Sequence, residues 1–250
     1  MTADANIDLV YILKPTDNNL ELRYSLRSIE KFCTFRRVWF VGYQPKWTQG
    51  VGFVATEQNG SKYKNSTLNV VTACQTDGIS SDFVLMNDDF FALRKVSSWR
   101  DTCNVCRGTI DEAIEQDGAE RRPSNWMQGF AYTKALLTLL GCKLFYNYEV
   151  HMPMIINKRK FLAMLERPLI EWFRQTDNVL MKRSLYQNLY CDTVPHVIED
   201  VKLKKDEDLT RSRLESGWLS VYDGVINQPQ YPLINQYLRT EFPDKSRFEI

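Results

Sequence analysis

Residues 81–91, Ser-Asp-Phe-Val-Leu-Met-Asn-Asp-Asp-Phe-Phe (SDFVLMNDDFF), decide how this chain is read. Phe83 to Met86 form an apolar run with the character of a strand buried on both faces. The run ends in Asn87-Asp88-Asp89, and two phenylalanines turn the chain back toward the core. Two adjacent carboxylates at the tip of such a strand either open a turn and cap the next segment, or make a hard-oxygen site for Mg²⁺ or Mn²⁺. Side by side they repel, so without a cation one of them should hold its proton unusually tightly.

Outward from this stretch the pattern alternates. IDLVYIL (7–13) reads as a buried strand ended by Lys14-Pro15. LELRYSLRSIEKF (20–32) reads as a helix, with Leu22, Leu26 and Ile29 on one face and Asp17 or Asn18 as its cap. RRVWFVGY (36–43) is a second strand, STLNVVTACQTD (66–77) a second helix and DFVLMN (82–87) a third strand. This βαβ order implies an α/β domain with parallel strands and helices packed over them. Open sheets of this kind gather ligands at the carboxyl ends of their strands. Asp88 and Asp89 are therefore expected to face the same crevice as Lys14 to Asn19.

Composition narrows the function. The chain has 250 residues, a net charge of +1 and 25% charged residues, so no overall basic field points to nucleic acid or an anionic membrane. The N-terminus has no cleavable leader pattern and no run of about 18 apolar residues exists. A cytoplasmic chain without a membrane span is expected. Six cysteines (33, 74, 103, 106, 142 and 191) read as reduced thiols. Cys103 and Cys106 make a lone C-x-x-C, which falls short of the four ligands of a structural zinc.

The segment LELRYSLRSIEKFCTFRRVWFVGYQPKW (20–47), with its Gln44-Pro45-Lys46-Trp47 turn, resembles a signature segment of the Stealth family of nucleotide-sugar-dependent sugar-phosphate transferases. So does Asn87-Asp88-Asp89 at the end of the third strand, and Lys64-Asn65-Ser66 between them. VHMPMIINKRKF (150–161) is similar to the family's His-Met-Pro segment, and LSVYDGVI (219–226) with YLRTEFPDKSRFEI (237–250) to its last segment. Where the family has an acidic loop after the first strand, this chain has KPTDNN (14–19), with Asp17 its one acid.

The resemblance implies a GT-A-like, Rossmann-type nucleotide-sugar transferase fold: α/β, with a mixed, mostly parallel sheet flanked by helices. It implies one domain over 1–250, in which 1–95 take the nucleotide-sugar and metal and 96–250 build the acceptor side with a C-terminal return. The donor would be a UDP-sugar or similar, held with Lys14, Asp17, Arg23, Arg27 and Asn65. Mg²⁺ or Mn²⁺ would sit on Asp88 and Asp89, with Asp89 in direct contact. His151 would act as general base toward an acceptor hydroxyl. Arg183 would neutralise charge developing on phosphate. The acceptor would be a glycan or polysaccharide.

Other readings of the same residues stand beside these. Arg23 and Arg27, four apart on one helix, either hold a phosphate or are compensated by Glu30. Trp99, Arg100, Arg107, Arg121, Arg122 and Trp126 could meet an acceptor glycan or a nucleic-acid strand, or form a solvated loop with its tryptophans anchored in the core. A phage-type transferase acting on a hydroxylated base in DNA is thus an alternative, and a non-catalytic glycan- or nucleotide-binding protein a second. FAYTKALLTLLG (130–141) reads as a helix stopped by Gly141, VKLKKDEDLTRSR (201–213) as a surface helix or mobile loop, and His196 as structural.

Overall fold

The computed structural model describes residues 3–118, 125–175, 178–222 and 224–250. In chain order come β1 (Asp8–Ile12), α1 (Leu20–Phe32), β2 (Val38–Gly42), β3 (Gly52–Ala55), α2 (Lys62–Gln75), β4 (Asp82–Met86) and β5 (Phe90–Ala92). Next are α3 (Trp99–Cys103), β6 (Val105–Cys106), α4 (Ile110–Gly118), α5 (Asn125–Leu139), β7 (Met154–Asn157), α6 (Lys158–Leu165), α7 (Pro168–Arg174) and α8 (Lys182–Tyr190). The chain ends with β8 (His196–Val197), β9 (Lys202–Leu203), α9 (Arg211–Glu215), β10 (Trp218–Val221) and α10 (Pro232–Glu241). No helix among the described residues is long and apolar enough to cross a membrane.

The main sheet has the order β3-β2-β1-β4-β7. β1 lies parallel between β2 and β4, β3 extends the parallel set, and β7 closes the other edge antiparallel to β4. The fold is therefore α/β with a mixed, mostly parallel sheet. Its strands are apolar on both faces because helices cover both. Leu22, Leu26 and Ile29 of α1 pack on one face with Leu9, Tyr11 and Phe40. Val70 and Ala73 of α2, with Phe161 and Met164 of α6, pack on the other with Val10, Val41 and Phe83. A second sheet, β5-β10-β9, carries the chain beyond the Asp pair.

Several local readings change. The cap of α1 is Asn19, whose Oδ1 accepts from Leu22 N at 2.9 Å, rather than Asp17 or Asn18. α2 begins four residues earlier than its apolar pattern suggests, because Ser61 caps it. The mixed-charge run 201–213 contains β9 and the start of α9, and its Val201 and Leu203 are buried. Gly141 does stop α5, in the left-handed conformation that a residue with Cβ adopts at a cost. Gly42, at φ +109°, is required for a different reason: a Cβ there would lie 2.4 Å from the carbonyl oxygen of Leu13. The loop leaving β1 passes directly over it.

Candidate functional site

β4 delivers Asp88 and Asp89 to the carboxyl edge of the sheet, and α1 fixes them there. Ser25 Oγ donates to Phe90 O at 2.6 Å, and Ala92 N donates to Ser28 Oγ at 3.0 Å. Phe90 and Phe91 enter two different cores, so the backbone just past the carboxylates is held on both sides. Both Asp side chains line a cavity of about 510 Å³ that also takes Lys14, Asn65 and Lys202.

The pair is not symmetric. Asp88 Oδ2 accepts from Asn19 Nδ2 at 2.6 Å. Burial first, and then the charge of Asp89, push its carboxyl up to about 6, against the opposing pull of Asn19 and Lys14. Asp89 Oδ2 accepts from Ser220 Oγ at 2.7 Å and lies 3.2 Å from Lys202 Nζ. Thus β9 and β10, more than 110 residues downstream, complete the surroundings of the β4 tip.

A second cavity, of about 240 Å³, adjoins the first and shares Ile12, Lys62, Ser66 and Asn87 with it. His151 and Arg183 line it. His151 Nδ1 lies 2.9 Å from both oxygens of Asp200, which also takes Arg107 at 3.2 Å. Burial alone would raise the Asp200 carboxyl, but the His151 hydrogen bond and charge, with Arg107, hold it below its ordinary value. With Nδ1 engaged, Nε2 is the ring nitrogen left for a substrate.

Four residues expected at the donor have protein partners of their own. Arg27 gives Glu249 two hydrogen bonds, Nε to Oε1 at 2.8 Å and Nη2 to Oε2 at 2.9 Å, and Arg23 adds one at 3.1 Å. Arg23 also stacks on Trp47, 3.8 Å from the ring centroid. Both guanidiniums anchor the C-terminal segment, and Glu249 rather than Glu30 compensates their like charge. Glu30 instead meets Arg247. Asp17 is bound to Tyr43, outside the cavity lining. Asn65 lines the cavity, but its amide closes the turn at Gln58 and Gly60.

Arg183 lines the smaller cavity. Its guanidinium donates to the carbonyls of Tyr148 (3.3 Å) and Met152, bracketing His151. These bonds fix the segment that carries the imidazole. The described members of the tryptophan and arginine set do not form one stacking surface. Trp99 is buried and donates to Thr34 O, Trp126 packs on Tyr63 and Phe130, and Arg107 serves Asp200. Arg121 and Arg122 lie outside the described residues. Cys103 and Cys106 are not in a disulfide, and no cluster of three or more His, Cys, Asp or Glu suited to a metal occurs among the described residues. His196 is exposed on β8.

Sequence reasoning missed Asn19 as a partner of Asp88, and missed Asp200, Lys202 and Ser220 altogether. Asp200 stands in VIEDVKL with no local motif, 49 residues from its histidine. The one available signal was the apolar alternation of Val201 and Leu203, which makes Lys202 point away from the core.

No family model matches the sequence, and no curated protein does. Solved structures do. The galactosyltransferase LgtC, in complex with donor and acceptor sugar analogs, aligns at a TM-score of 0.55 and 11% identity over 96% of each chain. An active-site mutant of LgtC gives 0.51 and 12%, over 94% of this chain and 95% of its own. The apo form of the glycosyltransferase GlyE of Streptococcus pneumoniae TIGR4 gives 0.50 and 10% over 96% of this chain, which spans only 61% of GlyE. At these identities the likeness establishes the fold, and that fold is the GT-A type of the glycosyltransferases.

Proposed function

We propose that this chain is a nucleotide-sugar-dependent transferase that moves a sugar, or a sugar 1-phosphate, to a hydroxyl of a glycan. One observation carries the reading: a carboxylate pair at the sheet's carboxyl edge opens onto the same crevice as a His-Asp pair. The LgtC structure, of the same fold, holds donor and acceptor sugar analogs. Two adjoining cavities here suit the same division, with the donor in the larger and the acceptor in the smaller. The short motifs that resemble those of the Stealth family support sugar-phosphate transfer in particular.

The donor set fits a hard divalent ion. Asp88, pushed up to about 6 beside Asp89, is a carboxylate short of positive charge. Glu21 lines the same cavity, but no third His, Cys, Asp or Glu among the described residues completes a metal cluster with the pair, which suits an ion that takes its remaining oxygens from water and a diphosphate. Mg²⁺ or Mn²⁺ held by Asp88 and Asp89 would supply charge neutralisation on the departing phosphate. The chain's own residues do the rest. Lys202 and Ser220 fix Asp89, Asn19 fixes Asp88, and Lys14 adds positive charge at the cavity wall.

His151 Nε2 takes the proton of the acceptor hydroxyl as its oxygen attacks, and Asp200 steadies the imidazolium that results. Attack at the β-phosphorus breaks its bond to the bridging oxygen and releases a nucleoside monophosphate, leaving a phosphodiester. Attack at the anomeric carbon breaks the sugar–oxygen bond and releases a nucleoside diphosphate. The Asn-Asp-Asp and His-Met-Pro segments favour the first. Incubation with UDP-sugars and other nucleotide-sugars, with Mn²⁺ or with chelator, followed by chromatography of the spent donor, tests both levels. A monophosphate product supports phosphate transfer and a diphosphate product refutes it. No consumption of any donor, with or without acceptor, refutes the transferase reading.

A further inference from the structure

We propose that the smaller cavity, beside His151, is a subsite for an acidic sugar whose ring lies against Trp126 and Tyr63 and whose carboxylate or phosphate is read by Lys182. The proposal rests on the transferase reading, because it names the acceptor class of that same site.

Lys182 begins α8 and lines this cavity, with its Nζ 2.8 Å from Ser66 Oγ. Among the described residues no carboxylate lies within ion-pair distance of it. Glu149, the acid that lines the same cavity, is committed elsewhere: Ser184 donates to its Oε1 from the backbone N at 3.0 Å and from Oγ at 3.2 Å. Glu149 thereby caps the first turn of α8, whose cap residue Met181 makes no side-chain bond. A partly buried ammonium whose one hydrogen-bond partner among the described residues is a hydroxyl is poorly compensated, and an anion that arrives there improves its surroundings. Burial brings the Lys182 amine down to about 8, with Glu149 opposing the shift and Arg183 adding to it. The charged wall of the cavity is thus Lys62, Lys182 and Arg183 against Glu149 alone.

The opposite character comes from aromatic rings. Tyr63 and Trp126 stand 6.4 Å apart at 31° and line the cavity together, and Phe130 fixes Trp126 edge-on at 5.6 Å. Ring faces of this kind offer an apolar, electron-rich surface to the face of a sugar ring. At about 240 Å³ the cavity is below the usual size of a site for a large ligand, about 300 Å³ and upward. It suits one ring and its substituents. Ser66, which holds Lys182, also lines the donor cavity, so an acid bound at Lys182 sits beside the donor, in the same small cavity that His151 lines.

The test is a set of saturation-transfer NMR titrations of the full chain with glucuronate, glucose 6-phosphate and glucose. The expected result is that at least one acid binds about tenfold or more tighter than glucose. The acid that gains tells a carboxylate from a phosphate substituent. In Lys182→Met that ratio falls to about one, while Lys182→Arg, which keeps the charge, retains most of it. Glucose binding as tightly as both acids overturns the proposal, as does a ratio that survives Lys182→Met. So does a loss in Lys182→Met that falls on UDP rather than on the acidic sugars, since the lysine then serves the donor. A chain that prefers the acids yet consumes no nucleotide-sugar keeps the subsite and refutes the transferase reading, so the two failures are distinguishable.

Discussion

Glu249 and Asp88 are carboxylates that both bond to α1, one to Arg23 and Arg27 and the other to the cap residue Asn19, and they are treated in opposite ways. Burial would raise Glu249, yet hydrogen bonds from Arg27, Ser246 and Arg23 bring it down to about 2. Burial also raises Asp88, and there Asp89 adds to the rise, so it reaches about 6. The anchor near the C-terminus receives two guanidiniums; the pair at the crevice receives an amide, a hydroxyl and a lysine. A surplus of positive partners marks a group that holds the fold together. A deficit marks a group arranged for something that arrives from outside.

The largest effect should fall on turnover and on the crevice side. His151→Gln is expected to lower acceptor-dependent turnover by about 10²–10⁴-fold with the melting temperature near that of the wild type. Asp200→Asn, which removes the partner of Nδ1, should show a smaller loss. Full turnover in His151→Gln would return the residue to a structural role and dissolve the contrast between the regions. Asp89→Asn should abolish metal-dependent turnover, read as the difference between assays with Mn²⁺ and with chelator. Equal rates in both, for wild type and variant, would make the carboxylates a turn cap.

Next in size is the anchor. Glu249 lies below its unfolded value, so its stabilisation is complete above about pH 4.5 and is lost as pH falls toward 2. Glu249→Gln should cost about 3 kcal/mol in urea unfolding at pH 7, and progressively less below pH 4.5. A pH-independent loss would mean that packing, not charge, holds the segment. Asp88 has the opposite sign. Its folded value lies above its unfolded one, so it opposes folding as pH rises from about 4 through 6. Asp88→Asn should therefore stabilise the metal-free chain at pH 7 by on the order of 2 kcal/mol, with the gain gone by pH 4. A destabilised variant at pH 7 would show that Asp88 is as well satisfied as Glu249.

Legibility in the sequence depends on how local each signal is. β1, α1, β2 and β4 declare themselves through five- to thirteen-residue patterns, and the Asp pair through its place at a strand tip. β3 and β7 are four residues long, and β9 only two, inside a run of charges. Their strand character comes from neighbours that only the fold supplies. Arg23 and Arg27 were open to a phosphate reading because their partner is more than 220 residues away. The His151–Asp200 and Asp89–Lys202 contacts are likewise invisible along the chain, since nothing in either segment specifies the other.

Asn19 ties the start of α1 to the crevice through a single side chain. Its Oδ1 accepts the Leu22 amide that starts the helix, and its Nδ2 donates to Asp88. The two ends of one planar amide are electronically coupled, so polarising one alters the other. The Leu22 amide is consequently a built-in spectroscopic reporter of the charge at the crevice. In a ¹⁵N-resolved NMR spectrum its resonance should move when Asp88 loses its proton, or when Mg²⁺, the diamagnetic stand-in for Mn²⁺, is added with nucleotide. That shift would let occupancy be followed without an assay, a labelled donor or any knowledge of the acceptor.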